Sequence, residues 1–185
     1  MQQPGMDKLS IGSPAPSFEG LPGVDGKSYS LGDFADKELL VVVFGCNHCP
    51  YVQATVGRLV ELQEEFGGRG VQFVMINSND AENYPEDSFE KMKEWAQRWG
   101  LNFPYLRDES QEVARAYKAV RTPEVFVFDR KRELRFHGPI DDNWQDPSKV
   151  SKRYLRDALS ALLEGNDPPE QEVHAVGCTI KWKTG

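Results

Sequence analysis

The sequence predicts an α/β protein whose helices cover both faces of a central mixed β-sheet. Two apolar runs, 39–44 and 71–76, are each followed by a segment with helical spacing of apolar residues, which is typical of a parallel βαβ unit. Two further runs, 125–128 and 134–137, are joined by a short charged turn, which predicts an antiparallel pair. A parallel unit followed by an antiparallel pair gives a mixed sheet.

The part of the chain before the first long strand is rich in turn signals. Residues 1–16 contain several glycines and prolines and predict a surface lead-in. Asp25 and Gly26 then lie between two short extended runs, which predicts a β-hairpin. The run 39–44 that follows is wholly apolar, as expected of a strand that is buried on both faces.

Four amphipathic segments predict helices. The first, which begins at Tyr51, places Val52 and Val56 on one face. The second helix, 85–99, follows the second strand. The third, 112–118, precedes the antiparallel pair, and the fourth, 148–163, follows it. We expect residues 1–185 to form a single domain, with the lead-in and a tail of residues 166–185 packed on it.

Composition and charge restrict the classes of function. The formal net charge is −7 and no basic run is present, which argues against nucleic acid as a partner. No apolar stretch approaches the ~20 residues that a membrane span needs, so no membrane partner is expected either. The segment from Met1 to Lys8 lacks the pattern of a signal peptide, so we expect a cytoplasmic protein.

Two cysteines, Cys46 and Cys49, lie where the first long strand turns into a helix. A helix start exposes backbone N–H groups and the positive end of the helix dipole, and both favour an anion such as a thiolate. The pattern therefore predicts a dithiol–disulfide redox site. The helical spacing points Cys49 toward the core and leaves Cys46 nearer solvent, so we expect Cys46 to be the nucleophile with a lowered pKa. Cys49 is then the resolving thiol, and a redox-active Cys46–Cys49 disulfide is the expected centre, with no other cofactor and no metal.

The chain resembles the thioredoxin superfamily in its βαβ…ββα order, in the motif Cys46-Asn47-His48-Cys49 and in Thr122-Pro123 before the antiparallel strands. The N-terminal stretch 12–18 is similar to that of the alkyl hydroperoxide reductase/thiol-specific antioxidant branch. Four stretches resemble a peroxiredoxin-like family of bacterial redoxins; they are 46–52, 77–80, 84–88 and 177–183. The resemblance implies a thioredoxin-like fold with an N-terminal β-hairpin and a C-terminal tail extension. It also implies a thiol–disulfide oxidoreductase.

The resemblance further implies roles for residues near the cysteine pair. A cis Thr122–Pro123 peptide bond is expected opposite the pair, with the backbone of Thr122 facing an extended substrate segment; the alternative is a trans proline that starts the strand. A cationic His48 would stabilise the Cys46 thiolate and raise the reduction potential from ~−270 mV toward ~−180 mV. The alternative is a solvated His48 with little influence.

Two charged residues flank the Thr122-Pro123 pair. Arg121 is interpreted as a surface charge, or else as a group that faces the thiolate and lowers its pKa. The strand 39–44 lacks the buried acid that thioredoxins keep there. Glu124 is therefore a candidate for the proton acceptor of Cys49 only because it lies near this loop.

Two other functions remain open at this point. Peroxiredoxins carry Pro-x-x-x-Thr/Ser-x-x-Cys-Pro; here Cys49-Pro50 matches the end of the pattern, but Cys46 replaces Thr and Val42 replaces Pro. A thiol peroxidase with Cys49 or Cys46 as the peroxidatic thiol is thus the first alternative. The second is a metal-binding or redox-silent binding module, in which the cysteines and His48 would be soft ligands.

Cys178 lies in the tail and has two interpretations. It is a third thiol that exchanges with the pair or forms an intermolecular bridge, or it is a half-buried thiol beside Ile180 and Trp182; we favour the second, because free cysteine is commonly buried. The expected partners are a disulfide-containing protein or a small-thiol substrate, together with a recycling reductant such as thioredoxin or glutathione.

Overall fold

The apolar run from Leu39 to Phe44 forms the middle strand of the structure, a computed structural model that describes residues 8–184. Residues 1–7 of the predicted lead-in lie outside the described part. The strands are β1 (Leu21–Pro22), β2 (Ser28–Tyr29), β3 (Leu39–Phe44), β4 (Val71–Asn77), β5 (Tyr105–Arg107), β6 (Arg121–Thr122), β7 (Glu124–Phe128), β8 (Leu134–Gly138) and β9 (Cys178–Thr179). The helices are α1 (Pro50–Phe66), α2 (Phe89–Trp99), α3 (Glu112–Tyr117) and α4 (Tyr154–Leu163).

The central sheet has the strand order β5-β4-β3-β7-β8. β3 pairs in parallel with β4, and β4 with β5, because a helix crosses over between the members of each pair. β3 and β8 both pair antiparallel with β7, and the charged turn between β7 and β8 forms the predicted hairpin. The mixed sheet predicted from the sequence is confirmed, and so is the N-terminal hairpin of β1 and β2.

Each face of the sheet is covered by its own hydrophobic cluster. Val41 and Val43 of β3 point to a cluster that contains residues of α1, α2 and α4. Leu40 and Val42 point to the other face, where α3 packs. This alternation follows from the two-residue period of a strand. Cys46 and Cys49, which lie beyond the end of β3, belong to the cluster on the face of α1.

Two predicted helices begin later than their sequence patterns indicate. The helix expected from Ser148 begins at Tyr154, because Ser151 is bound to the preceding loop: its backbone N–H donates to Asp142 Oδ1 at 2.9 Å. The helix expected from Pro85 begins at Phe89 after a separate 3₁₀ turn.

Both ends of the described chain are held by backbone pairing, the N-terminal end to the central sheet and the C-terminal end in a separate two-stranded sheet. On the N-terminal side, the backbone N–H of Gly12 donates to the Leu134 carbonyl of β8 at 2.7 Å. On the C-terminal side, β9 pairs antiparallel with β6, with Thr122 opposite Cys178. Within residues 8–184, no helix combines the length and the apolar character that a membrane crossing requires.

Candidate active site

The loop between β3 and α1 carries the cysteine pair. α1 begins at Pro50, so Cys49 is its N-cap residue, with an extended backbone (φ −152°, ψ 117°). Proline suits the first helical position because it has no N–H to leave unpaired, and it keeps the residue before it out of the helical conformation. Cys49, rather than Cys46, lies next to the helix N-terminus.

Both sulfur-bearing residues of the pair are buried. Cys46 is 1% exposed and Cys49 is 0% exposed, so the prediction that Cys46 lies nearer solvent is wrong. The segment around Thr122 covers them: Cys46 Sγ lies 3.6 Å from Thr122 Oγ1, and Cys49 Sγ lies 3.4 Å from the Thr122 carbonyl oxygen. The predicted cis peptide bond between Thr122 and Pro123 is present.

The electrostatics of the pair favour a thiolate on Cys49. The hydrogen bond that Cys46 donates is the largest cause that lowers the pKa of Cys49, to about 5. The Cys178 thiol, the Thr122 hydroxyl and the Val52 backbone N–H lower it further. Burial opposes the thiolate, and so does the Thr122 carbonyl oxygen at 3.4 Å, because it can accept a hydrogen bond only from a protonated thiol. The hydrogen bonds donated to the Cys49 sulfur outweigh these two effects, so the net shift of its pKa is downward.

Cys46 has the opposite shift. Its pKa lies well above the ordinary value, first because it donates its hydrogen bond to Cys49, then because it is buried and because the Asp87 carboxylate is near. The expectation that Cys46 carries the lowered pKa is wrong. A helix N-terminus does favour a thiolate, but α1 begins at Pro50, so the cysteine next to its N-terminus is Cys49 and not Cys46.

A buried carboxylate that the sequence analysis missed holds the loop between the two cysteines. Asp87 Oδ1 accepts hydrogen bonds from the backbone N–H groups of Asn47 at 2.7 Å and His48 at 3.2 Å. Asp87 Oδ2 accepts a third from Asn79 Nδ2 at 2.9 Å. The signal was available, because Asp87 lies in the stretch 84–88 that carries the family resemblance.

Asn47 is braced from three further sides. Its side-chain carbonyl accepts a hydrogen bond from the Tyr105 hydroxyl at 2.7 Å, and its side-chain amide donates to the Glu86 carbonyl at 2.9 Å. Its own backbone carbonyl accepts from Gln53 Nε2 at 2.8 Å. Every polar group of this buried residue therefore has a partner, so the conformation of the loop is fixed.

The polar cluster 77–80 takes part in the same network. Asn79 joins Asp87 to the tail, because its side-chain amide donates to Asp87 Oδ2 and its side-chain carbonyl accepts from the Lys181 backbone N–H at 2.9 Å. The four stretches that carry the resemblance thus meet around the cysteine pair, although they are distant in the sequence.

Glu124 does not face the cysteines. Its Oε1 accepts hydrogen bonds from the backbone N–H groups of Val120 and Arg121 at 2.8 and 2.9 Å, and its Oε2 lies 2.6 Å from His137 Nε2. The neighbouring Val125 packs with the cysteine-containing cluster, so strand alternation points Glu124 to the other face. The interpretation of Glu124 as the proton acceptor of Cys49 is therefore wrong.

The other two predicted charged residues occupy different surroundings. Arg121 Nη1 donates to the Gly177 carbonyl at 3.3 Å, so the guanidinium binds the tail. The His48 side chain is exposed, and only its backbone N–H contacts Asp87. No contact recorded between residues 8–184 joins the His48 ring to a sulfur atom, and its influence on the reduction potential stays a prediction.

Cys178 comes next to the pair through the pairing of β9 with β6. It is half-buried and packs against the hydrophobic cluster that contains Cys46 and Cys49. Burial, followed by hydrogen bonding with Cys49, raises the pKa of Cys178 to about 11. The backbone edge of Thr122, which we expected to face a substrate segment, is thus already occupied by the protein's own tail.

The structure therefore collects three free thiols at one point. Over the described range 8–184, no group of three or more His, Cys, Asp or Glu side chains is placed to hold a metal ion. What the arrangement can do is exchange sulfur–sulfur bonds, since Cys46 and Cys49 share one buried cluster and Cys178 packs against it.

Comparison with known proteins identifies the family. The model of the AhpC/TSA family matches residues 11–137. The chain belongs to the AhpC/TSA family. A thiol-disulfide oxidoreductase ResA from Geobacillus kaustophilus is 28% identical to this AhpC/TSA-family protein over 127 residues, which are 69% of this chain and 68% of that protein.

Solved structures share the fold of this AhpC/TSA-family chain. The crystal structure of an uncharacterized conserved protein from Geobacillus kaustophilus is similar with a TM-score of 0.89 at 45% identity, covering 95% of this chain and 94% of that one. A thiol:disulfide interchange protein of the thioredoxin family from Chlorobium tepidum TLS has a TM-score of 0.57 at 26% identity, covering 68% and 84%. The predicted thioredoxin-like fold is confirmed. The family match ends at residue 137, so the tail with Cys178 lies beyond it.

Proposed function

We propose that this protein is a thiol–disulfide oxidoreductase that uses Cys46 and Cys49 as its dithiol–disulfide couple. The observation that carries the proposal is the place of both sulfurs against Thr122 at the N-terminus of α1: Cys46 Sγ lies 3.6 Å from its hydroxyl and Cys49 Sγ lies 3.4 Å from its carbonyl oxygen. Hydrogen bonding with the Cys46 thiol lowers the pKa of Cys49 to about 5. A thiolate is the reactive form of cysteine, and here its future disulfide partner is already in contact with it. The curated relatives are named as thiol-disulfide oxidoreductases, which supports the same activity.

In the proposed reaction, the reduced pair gives two electrons to an external disulfide. The external S–S bond breaks, its two sulfurs leave as thiols, and a bond forms between the sulfurs of Cys46 and Cys49. Cys49 begins the exchange because it carries the negative charge, and Cys46 closes the disulfide after it loses its proton. This assignment reverses the roles expected from the sequence. An external reductant then returns two electrons and two protons to the pair.

A thiol peroxidase is the second candidate, because one observation favours it. Cys49, the residue that aligns with the end of the peroxiredoxin pattern before Pro50, is also the thiol with the lowered pKa. In that reaction the Cys49 thiolate would attack a peroxide oxygen, the O–O bond would break, and the other oxygen would leave as water or an alcohol. The resulting sulfenic acid would condense with the Cys46 thiol to a disulfide and water. Cys46 stands where peroxiredoxins have a threonine, which removes a hydroxyl from the peroxide pocket.

Three measurements on the same protein sample distinguish the oxidoreductase from the peroxidase. Free thiols are counted in protein treated with oxidised glutathione and again after full reduction, and insulin reduction and peroxide consumption are measured in parallel. We expect two thiols to disappear on oxidation, insulin to be reduced, and both properties to be lost in Cys46→Ser and Cys49→Ser. Peroxide consumption faster than disulfide reduction would favour the peroxidase, and three thiols that resist oxidation would contradict both.

The setting of the reaction is part of the proposal. Thiol or disulfide compounds and a reductant are the partners that the family supports in general. We further propose a reducing, cytoplasmic environment in which thioredoxin or glutathione reduces the Cys46–Cys49 disulfide. The absence of a disulfide framework among three cysteines supports this setting. Alkylation of thiols in acid-quenched cells, followed by peptide mapping, tests it: Cys46 and Cys49 should be found mainly reduced.

A further inference from the structure

The cysteine pair is buried in this structure, which slows direct exchange with an external partner. Cys46 and Cys49 are both fully covered, and the covering segment on one side is the tail strand β9. An external thiol or disulfide must approach a sulfur in line with the bond that breaks, and access limits the rate of exchange. The half-buried Cys178 is the most accessible of the three cysteines, and it packs against the hydrophobic cluster that contains Cys46 and Cys49. It also pairs with Thr122, whose carbonyl oxygen lies 3.4 Å from Cys49 Sγ.

The tail is built to keep Cys178 in this place. The Gly177 backbone lies directly on the Thr122 carbonyl, so that a β-carbon on residue 177 would overlap the carbonyl oxygen. The strand can approach this closely only because residue 177 is glycine. On the far side, the Ile180 backbone N–H donates to the Val120 carbonyl at 2.9 Å.

The tail beyond β9 is fastened as well. The Lys181 carbonyl accepts hydrogen bonds from the Gln111 side chain at 2.9 Å and from the Asp80 backbone N–H at 2.8 Å. The Lys183 backbone N–H donates to Gln111 Oε1 at 3.0 Å. Because the chain is held on both sides of Cys178, the position of Cys178 beside the site is fixed.

We propose that Cys178 is a third redox thiol of this protein, which carries the disulfide from the buried pair to the surface through a Cys49–Cys178 disulfide. The inference rests on the proposed function, since it requires a Cys46–Cys49 disulfide to form. It replaces the interpretation of Cys178 as an ordinary packing thiol.

The internal step is an exchange without net oxidation. The Cys178 sulfur gives up its proton and attacks the Cys49 sulfur of the Cys46–Cys49 disulfide. The Cys49–Cys178 bond forms, the Cys46–Cys49 bond breaks, and Cys46 leaves with the electron pair and takes up a proton. An external thiolate then attacks the Cys178 sulfur, and Cys49 leaves as the thiolate; a thiol of low pKa leaves faster. The mixed disulfide on Cys178 is resolved by a second external thiol, so two electrons enter in all.

The first test traps the internal disulfide. Cys46→Ser, fully reduced, is treated with oxidised glutathione, and the peptides are mapped without reduction. We expect a Cys49–Cys178 disulfide. Cys49→Ser is the matched control, and there we expect no bond between the remaining Cys46 and Cys178, because the contact of Cys178 is to Cys49. A glutathione adduct on Cys49 with Cys178 still free would overturn the proposal, and so would equal pairing in the control.

The second test measures whether reduction of the buried disulfide proceeds through Cys178. The oxidised wild type and oxidised Cys178→Ser are reduced with glutathione, and the appearance of free thiols is followed. We expect roughly tenfold or slower reduction in Cys178→Ser, because the remaining disulfide is buried. If both proteins form the Cys46–Cys49 disulfide but are reduced at equal rates, this inference fails and the proposed function stands. If the wild type forms no such disulfide, the proposed function itself fails.

Two glycine variants test the role of the tail without removing a thiol. Gly177→Ala keeps all three thiols but pushes β9 away from Thr122, whereas Gly68→Ala adds a β-carbon into open space. With both variants folded by circular dichroism, we expect slow reduction only in Gly177→Ala. Equal rates in the two variants would contradict the role of the tail.

Discussion

Asp87 Oδ1 accepts a 2.7 Å hydrogen bond from the backbone N–H of Asn47, so a carboxylate far along the chain fixes the residue that follows Cys46. The carboxylate is 1% exposed, and it contributes to the raised pKa of Cys46. One side chain therefore holds the loop in shape and also favours the protonated form of one cysteine. A mutant should therefore change two separate quantities, the stability of the fold and the pKa of Cys46, which makes Asp87 informative to change.

Replacing Asp87 by Asn should weaken the fold and make Cys46 more acidic. The amide removes the negative charge that raises the Cys46 pKa, and it cannot accept from Asn47, His48 and Asn79 together. We expect the free energy of unfolding in urea to fall by about 1–3 kcal/mol, the range for unpaired buried donors. Thiolate absorbance in the ultraviolet should show a lower Cys46 pKa. Glu86→Gln, the same change on an exposed neighbour, should alter neither; equal effects of the two variants would refute the assignment.

The low pKa of Cys49 should depend on a donor at position 46. We expect Cys46→Ala to raise the pKa of Cys49, because the largest cause of its lowering is the hydrogen bond from Cys46. Cys46→Ser retains a hydroxyl donor and should raise the pKa less. The two variants are compared by ultraviolet titration of the thiolate in the presence of reductant. A pKa that stays near 5 in Cys46→Ala would show that the helix N-terminus alone suffices.

Stability should depend on pH through the same thiol. Folding lowers the pKa of Cys49 to about 5, whereas in the unfolded chain it is about 8.5. Between these values the unfolded state binds more protons, so the contribution of Cys49 to stability rises with pH and is lost as pH falls toward 5. We expect the difference in unfolding free energy between wild type and Cys49→Ser to increase from pH 5 to about pH 8.5. The carboxylates are common to both proteins and cancel. A difference that is flat over this range would contradict the assignment of the thiolate to Cys49.

The strands and their pairing were predictable because local pattern determines them. Continuous apolar runs such as 39–44 are buried on both faces, and the short charged turn between β7 and β8 leaves no room for a crossover. Helix starts were less predictable. The segment after Ser148 has helical spacing, but its polar groups are bound by Asp142, and that competition is not visible in a window of sequence.

The cysteine pair was predictable from spacing, but its acidity was not. The sign of the two pKa shifts depends on Pro50 fixing the helix start, on Asp87 and on Cys178. Asp87 and Cys178 are brought to the pair by packing between distant parts of the chain, which the periodicity of the sequence does not reveal. Thr122 was predicted to lie opposite the pair and does so, whereas the occupation of its backbone edge by β9 could be read only from the structure.

His48 should have a small influence on the reduction potential. Its ring is exposed, so water and salt screen its charge from the sulfurs. We expect His48→Gln to make the potential more negative by less than about 30 mV, which corresponds to about 1.4 kcal/mol for a two-electron couple. Redox titration against glutathione measures the shift, and it should shrink further as salt is added. His174→Gln, a change at another exposed histidine, should leave the potential unchanged; a larger shift at residue 48 would mean that the ring contacts the site in solution.

Removing one hydroxyl should distinguish a brace of the active site from an ordinary buried hydrogen bond. The Tyr105 hydroxyl donates to Asn47 Oδ1 at 2.7 Å, and the Tyr117 hydroxyl donates to the Pro16 carbonyl at 2.8 Å on the other face of the sheet. Both rings are fully buried. We expect Tyr105→Phe and Tyr117→Phe each to lower the free energy of unfolding by about 1–3 kcal/mol, because each leaves an acceptor without its donor. Only Tyr105→Phe should change the thiolate titration and the rate of disulfide formation, since only Asn47 lies between the two cysteines. An equal change of the thiol chemistry in both variants would mean that general loosening, rather than the Asn47 brace, controls the pair.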